Sequence, residues 1–344
     1  VDSEPYVQQA FVAPTESMAD DAFDRALYLS RKAVEADIDD VDDSGRFYVC
    51  SLDRKTVVYK GLLKGEQLAG YYEDLTDERV TSTLVLVHAR FSTNTLGAWH
   101  LAHPYRKIIH NGEINTIRGN INWMRARESA LEDETFGEDI ETLKPITKAG
   151  QSDTASVDNA VELLLHSGRE LPHVLRMLIP EAHENDDAMD PDRQEWYDYH
   201  ASLIEPWDGP ALVAGTDGDK ISAVLDRNGL RPCRYDITGD NELIMASEVG
   251  ALETDPSEIK ERGRLQPGEI FVADPEEGRV IPDAEVFDDL IDNRYGEWVD
   301  DHQQHLDEIA GESLEPQGDV SELRAHQAAF GYTTDQLNHL LEPM

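Results

Sequence analysis

The chain is poor in cysteine and in positive charge. Its 344 residues include two cysteines, Cys50 and Cys233. Two thiols can build neither a disulfide framework nor a zinc cluster, which suits a reducing compartment. Only 30 basic residues face 71 acidic ones, a net charge of −41. A surface of that sign repels phosphate backbones and anionic headgroups, so no nucleic acid and no membrane is expected as a partner. No apolar run reaches transmembrane length, and residues 1–20 lack a signal-peptide core. The expectation is a soluble, cytoplasmic protein. A Gly-rich phosphate loop and internal repeats are also missing, so no nucleotide-binding signature is read.

What is present is a foldable amount of apolar residue, 40% of the chain, too much for a disordered polyanion. The acid is spread along the whole length, including 132–142, 184–192 and 286–301, whereas an acidic docking module would gather it in one tail. This reads as a solvated skin suited to a salt-rich cytoplasm, as in halophilic archaea. Asp40–Gly45 imitates the start of a calcium-binding loop, but position twelve would be Ser51, which defeats the coordination.

Apolar spacing predicts a helix over 22–38, with Phe23, Leu27, Ala33 and Val34 inward. Arg46–Leu52 and Lys55–Gly61 read as a hairpin about Asp53-Arg54, and Thr83–Phe91 as a buried strand. A short strand over 107–110 delivers Asn111-Gly112. Helices follow at 120–131 (with Trp123 and Met124 in the core), from a Ser152 or Asp153 cap to Ser167, at 171–179 and at 193–204. After Pro206 the texture turns to short strands at 211–216, 221–226, 234–237, 242–247 and 269–273. Hairpin turns beside a helical block predict an α+β fold with antiparallel sheets. Residues 284–328 read as an acidic surface helix and linker, and a further helix begins near Thr333.

Three local patterns carry chemistry. Asn111-Gly112 follows a strand and could present an amide and an N–H to a developing oxyanion, or could be a tight turn. Arg90, beside Ser92 and Thr93, suits capture of a small carboxylate, or an ordinary ion pair. Asp153 could accept an α-ammonium group or serve as a helix cap. Jointly they describe a holder for a free glutamine-like molecule. Four histidines (88, 100, 103 and 110) share the segment, but their spacing matches no metalloprotease motif, so no metal is expected.

The runs HARFSTNT, HNGEINTIRGNINWMRARE, GQSDTASVDNAVELL, IPEAHENDDAMDPDRQEWYDYHASLIEPWDGPA, LDRNGLRPCRY and MASEVG occur here in order. They resemble the class II glutamine amidotransferase domain of glutamate synthase, over nearly the whole chain from about residue 11. The resemblance implies a four-layer αββα sandwich of the N-terminal-nucleophile type, N-terminally incomplete, over 1–295. An acidic linker over 296–328 and the start of a central domain at 329–344 would follow. It implies that Arg90, Ser92, Thr93, Glu113 and Asp153 bind L-glutamine and that Asn111 and Gly112 form the oxyanion hole. Ammonia would then pass to 2-oxoglutarate in the rest of the enzyme. That remainder comprises the central and FMN-binding domains, FMN, an iron–sulfur cluster, and an electron-donor subunit or ferredoxin; no cofactor is expected on this chain.

Two departures stand out: Ala89 replaces the Ser common in the family, and LGAWHLAHP replaces a Pro-Ser-Trp-Asp type of loop. The family nucleophile is an N-terminal cysteine whose α-amine is the base, while this chain opens on Val1 and its two cysteines are internal. The expectation is that the nucleophile is encoded upstream and that these 344 residues alone do not hydrolyse glutamine. Alternatives are a non-catalytic glutamine-binding or assembly remnant, or the amidotransferase domain of another pathway.

Overall fold

A computed structural model describes residues 4–15, 17–39, 47–91, 97–184, 186–292, 294–304, 309 and 322–341. The Asp40–Gly45 run, Arg46, Ser92, Thr93 and about half of the 296–328 linker lie outside them. Two compact units are present, Val1–Trp298 and Val299–Met344.

The first unit is mixed helix and sheet. Strands β1 (Ile108–Gly112), β2 (Ala211–Thr216), β3 (Ile221–Leu225), β7 (Ile270–Asp274) and β8 (Arg279–Ile281) form one antiparallel sheet in the order β1-β2-β3-β7-β8. Strands β4 (Arg234–Thr238), β5 (Leu243–Ala246) and β6 (Ile259–Arg264) form a second, ordered β5-β4-β6. Side chains of the large sheet alternate between two cores, as period two requires. Ile108, Ala211, Val213, Val224, Ile270 and Val272 face the helical core. Leu212, Ala214, Ala223, Leu225, Phe271 and Ala273 face a smaller core closed by Cys233, Tyr235, Leu243 and Met245 from the region of the second sheet. Both faces of the central strands are therefore covered, and their near-continuous apolar sequence follows from that.

Helices α1 (Asp20–Asp39), α2 (Gly65–Tyr71), α3 (Ile117–Glu128), α4 (Asp153–His166), α5 (Leu171–Leu178), α6 (Pro191–Leu203), α7 (Asp283–Leu290) and α8 (Arg294–His302) accompany the sheets. Ser152 caps α4, its hydroxyl accepting from the Ala155 N–H at 3.2 Å, and Gly168 follows the helix at φ +95°. In the second unit, α9 (Leu323–Ala329) is followed by a short turn capped by Thr333.

Several expectations fail for physical reasons. No ladder forms over 47–61. The Asp53 carboxylate accepts from the Lys55 and Thr56 amides, and the Ser51 hydroxyl accepts from Val58 N–H, so local side chains take amides a hairpin would use. Residues 83–91 are likewise not a buried strand: Val85 and Val87 are 70% and 71% exposed. β-Branched composition reports propensity, and burial needs a partner strand that is absent among the described residues. On α3 the inward positions go to Met124 and Asn120, whose amide donates to the Pro206 carbonyl, and Trp123 turns outward. Strand β6 escaped notice because its sequence, IKERGR, is largely polar and mostly exposed, and β8 because RVI is only three residues long.

Candidate active site

β1 is an edge strand, and its backbone explains the site. It pairs with β2 in the register Ile108↔Gly215 to Gly112↔Ala211, and Glu113 N–H donates to the Pro210 carbonyl at 3.2 Å. Antiparallel pairing alternates bonded and unbonded pairs. The amides of 109, 111 and 113 therefore point to β2, and those of 108, 110, 112 and 114 point to the open edge. Side chains accept three of these edge amides. Ile108 N–H donates to Asp158 Oδ1 (3.1 Å), His110 N–H reaches His88 Nδ1 (3.5 Å), and Ile114 N–H donates to Asp153 Oδ2 (2.8 Å). Gly112 N–H lies between them on the same edge.

Gly112 sits at φ +141°, and a Cβ there would lie 1.9 Å from the Pro210 oxygen. Gly209 is its counterpart, where a Cβ would lie 2.1 Å from the Glu113 oxygen. The Asp208-Gly209-Pro210 corner crosses the exit of β1 backbone to backbone, and Asp208 O accepts from Asn115 N–H at 2.7 Å. Only glycine permits that approach. Asn111-Gly112 is accordingly a strand end clamped by a second chain segment, and not a tight turn. The crossing also gives the EPWDGPA run a place: it forms the floor beneath Gly112-Glu113.

Asp153 is the first residue of α4 and is not its cap, since Ser152 takes that role. Its carboxylate accepts from Ile114 N–H and from Thr154 N–H, both at 2.8 Å. The Thr154 hydroxyl also donates to it at 3.4 Å, and since a carboxylate offers about four lone-pair positions, about one remains for a cation. Asn111 and Gly112 are half-buried, and Glu113 is exposed beside them. The structure thus brings Asn111, Gly112, Glu113 and Asp153 together. Arg90 is exposed; its segment reaches β1 through His88, which stacks on His103 (4.2 Å between centroids) and lies against His110 (4.9 Å).

Histidines 88, 103 and 110 converge, with ligand-capable atoms within 4.8 Å of one another. Burial above all, with repulsion from neighbouring imidazoles, drives His88 down to about 4 and His103 to about 3. Burial also lowers His110. All three are neutral at pH 7, the form a metal needs. A metal-holding histidine, however, donates its second N–H to an acceptor. The buried Nδ1 atoms of His103 and His110 have no hydrogen-bond partner among the described residues. His110 Nε2 instead meets His103 Nε2 at 3.0 Å and Thr154 Oγ1 at 3.0 Å. His88 and His103 pack against His110, the residue before Asn111.

Neither cysteine is activated. Cys50 is half-buried and Cys233 buried; burial raises both thiols, Cys233 to about 12. Sequence reasoning missed Asp158, Thr154, His103 and the 208–210 corner. The signal for Asp158 was its place in GQSDTASVD, five residues after Asp153.

Residues 1–298 match the family model described as glutamine amidotransferases class-II. The glutamate synthase (NADPH) large chain of Bacillus subtilis (strain 168) is 43% identical over 342 residues, covering 99% of this chain and 22% of its own length. The ferredoxin-dependent glutamate synthase of Pyropia yezoensis is 41% identical over 347 residues, again 99% of this chain and 22% of that one. The chain therefore spans about a fifth of the length of these relatives. Among solved structures, the glutamine phosphoribosylpyrophosphate amidotransferase of B. subtilis matches 57% of this chain and 34% of its own, with a TM-score of 0.30 and 16% identity, a likeness that carries no argument. On the family match and its two relatives, the chain belongs to the class II glutamine amidotransferases.

Proposed function

We propose that the chain is the glutamine-binding, ammonia-releasing domain of a glutamate synthase. The observation that carries this reading is the edge of β1, where Gly112 N–H lies one strand repeat from the Asp153 carboxylate. Alternate residues of a strand are spaced roughly 7 Å apart. An extended glutamine places its amide oxygen roughly 6 Å from its α-nitrogen by standard bond lengths. Asp153 then takes the α-ammonium group while Gly112 N–H and the Asn111 side-chain amide donate to the amide oxygen. These donors are worth more as the carbonyl becomes an oxyanion, which is how they would accelerate attack. Arg90 pairs with the α-carboxylate and Glu113 lines the remainder, with Ser92 and Thr93 kept as further candidate contacts.

The attacking thiolate in this reading is a cysteine other than Cys50 and Cys233, whose environments keep them protonated. The released ammonia would aminate 2-oxoglutarate in the rest of the enzyme, where FMN and an iron–sulfur cluster carry electrons from ferredoxin or a nicotinamide nucleotide. The αββα sandwich belongs to the same proposal; the helical layer and two facing sheets supply part of it. The domain division at about 295 and 328 is proposed likewise.

The test is kinetic. In the complete enzyme, Arg90→Ala and Asp153→Asn should raise KM for glutamine by about 10-fold or more, as loss of a charge-assisted contact implies. Ammonia-dependent glutamate synthesis should be retained. An unchanged KM for glutamine in both variants would remove the reading.

A further inference from the structure

The entry of β1 is held by a single buried carboxylate. Asp158 is 1% exposed. Its Oδ2 accepts from Arg106 N–H at 3.1 Å, and its Oδ1 accepts from Lys107 N–H at 2.8 Å and Ile108 N–H at 3.1 Å. Three successive backbone amides on one carboxylate fix the strand far more tightly than one ladder bond could. Asp158 and Asp153 stand on the same helix, α4, and hold opposite ends of the strand that bears Asn111 and Gly112. Between them, Thr154 Oγ1 meets His110 Nε2; outside both, the Tyr105 and Ser152 hydroxyls are hydrogen-bonded.

β2 holds the inner edge of β1 in register, but the outer edge has no ladder partner among the described residues, so a strand clamped to α4 only at Ile114 could still pivot against that helix. A strand clamped at 106–108 as well has one height. That height sets the distance between the oxyanion donors, which ride on β1, and the Asp153 carboxylate, which rides on α4.

We propose that Asp158 is a positioning residue of the glutaminase reaction: by capturing the amides of residues 106–108 it sets the register of β1 on α4 and aims the Asn111-Gly112 donors at the substrate carbonyl. This rests on the function proposed above. Asp158 touches no substrate, so its loss acts on the transition state through the strand. The α-ammonium contact, fixed on the helix, is spared.

Asp158→Asn keeps the shape and one acceptor oxygen but places an NH₂ against a backbone N–H. In the complete enzyme it should lower the glutamine-dependent kcat by about 100-fold, the scale of a 1 Å misplacement of reacting groups. KM for glutamine should stay within about 3-fold, while ammonia-dependent synthesis is unchanged. A merely structural role would lower both activities together, and that result overturns the proposal, as does an unchanged glutamine-dependent kcat. Asp153→Asn measured in parallel separates the two readings. If it leaves KM for glutamine unaltered, the functional assignment of the site fails, whatever Asp158 does. Should Asp158→Asn not fold, hydrogen exchange in the unsubstituted protein decides. The Arg106 and Lys107 amides should be strongly protected at neutral pH, and exchange at the rate of a free loop would overturn the clamp.

Discussion

Gly112 is the residue on which most of the site's geometry turns. Its φ of +141° and the 1.9 Å from a Cβ position to the Pro210 oxygen leave no room for any side chain. Gly112→Ala should destabilise the domain by at least about 2 kcal/mol, since left-handed strain and a backbone clash add. It should also abolish glutamine-dependent turnover. A urea denaturation midpoint equal to that of the parent would contradict the first expectation. Sequence reasoning could assign Gly112 a close approach but not the approaching atom, because Pro210 is distant in sequence. Asp153 was ambiguous for a related reason. A carboxylate before a helix looks the same whether it caps the helix or reaches across to Ile114.

At the scale of elements, α1 shows what hydrophobic periodicity leaves out. Its buried face carries Leu27 and Tyr28, but also Arg31, Lys32 and Glu35, while Val34 is 44% exposed. Arg31 bridges Glu162 of α4 at 2.7 Å and Glu35 at 3.2 Å, and Glu35 also meets Arg106 at 3.1 Å. The Arg31, Arg106 and Lys148 cations hold Glu35 below its usual range, and those of Arg31, Arg106 and Lys107 do the same for Glu162, in each case against the opposing effect of burial. Beside it, burial and the Glu162 charge push Asp158 up to about 6. Arg31→Met would leave Glu35 and Glu162 with less compensation, and a loss of about 3–5 kcal/mol is expected. Chemical denaturation reads that loss directly; a change below about 1 kcal/mol would show that the network relaxes around the gap.

The helices α4, α5 and α6 and six of the eight strands were legible because their apolar spacing coincides with their burial. Residues 83–91 were not, since a β-branched run looks alike whether or not another strand covers it. The ionic interface of α1 with α4 was illegible because charged residues are normally counted toward the surface.

Over the whole molecule two electrostatic terms compete as pH falls. Burial drives His88, His166 and His200 to about 4, and His103 and His173 to about 3. Their ordinary value is 6.5, so between pH 6.5 and 4 the unfolded chain binds protons that the folded chain refuses. Stability from these histidines is complete above pH 6.5 and is lost as pH falls toward 4. Protonating the acidic skin opposes this by relieving the repulsion of a −41 charge. High salt separates the terms. At about 1 M salt the screening length is about 3 Å, and surface repulsion is largely removed. Under that condition the melting temperature should fall steadily from pH 7 to 4.5; a flat profile would refute the histidine term. At pH 7, raising salt from about 0.1 M to about 1 M should raise the melting temperature, and insensitivity to salt would count against a skin adapted to brine.

The crossing of Asp208-Gly209-Pro210 over Gly112-Glu113 also bears on the order of folding. β1 gains its ladder only when β2 arrives, and β2 lies beyond four intervening helices. Closing so long a loop is slow, and contacts of that range form late. The α4–α5 hairpin can collapse early on its local contacts, already displaying Asp153 and Asp158. Asn111 and Gly112, the proposed oxyanion donors, find their place only when residues 207–216 lock in. A nascent chain interrupted before that corner would therefore carry the helix-borne carboxylates without the rest of the proposed site.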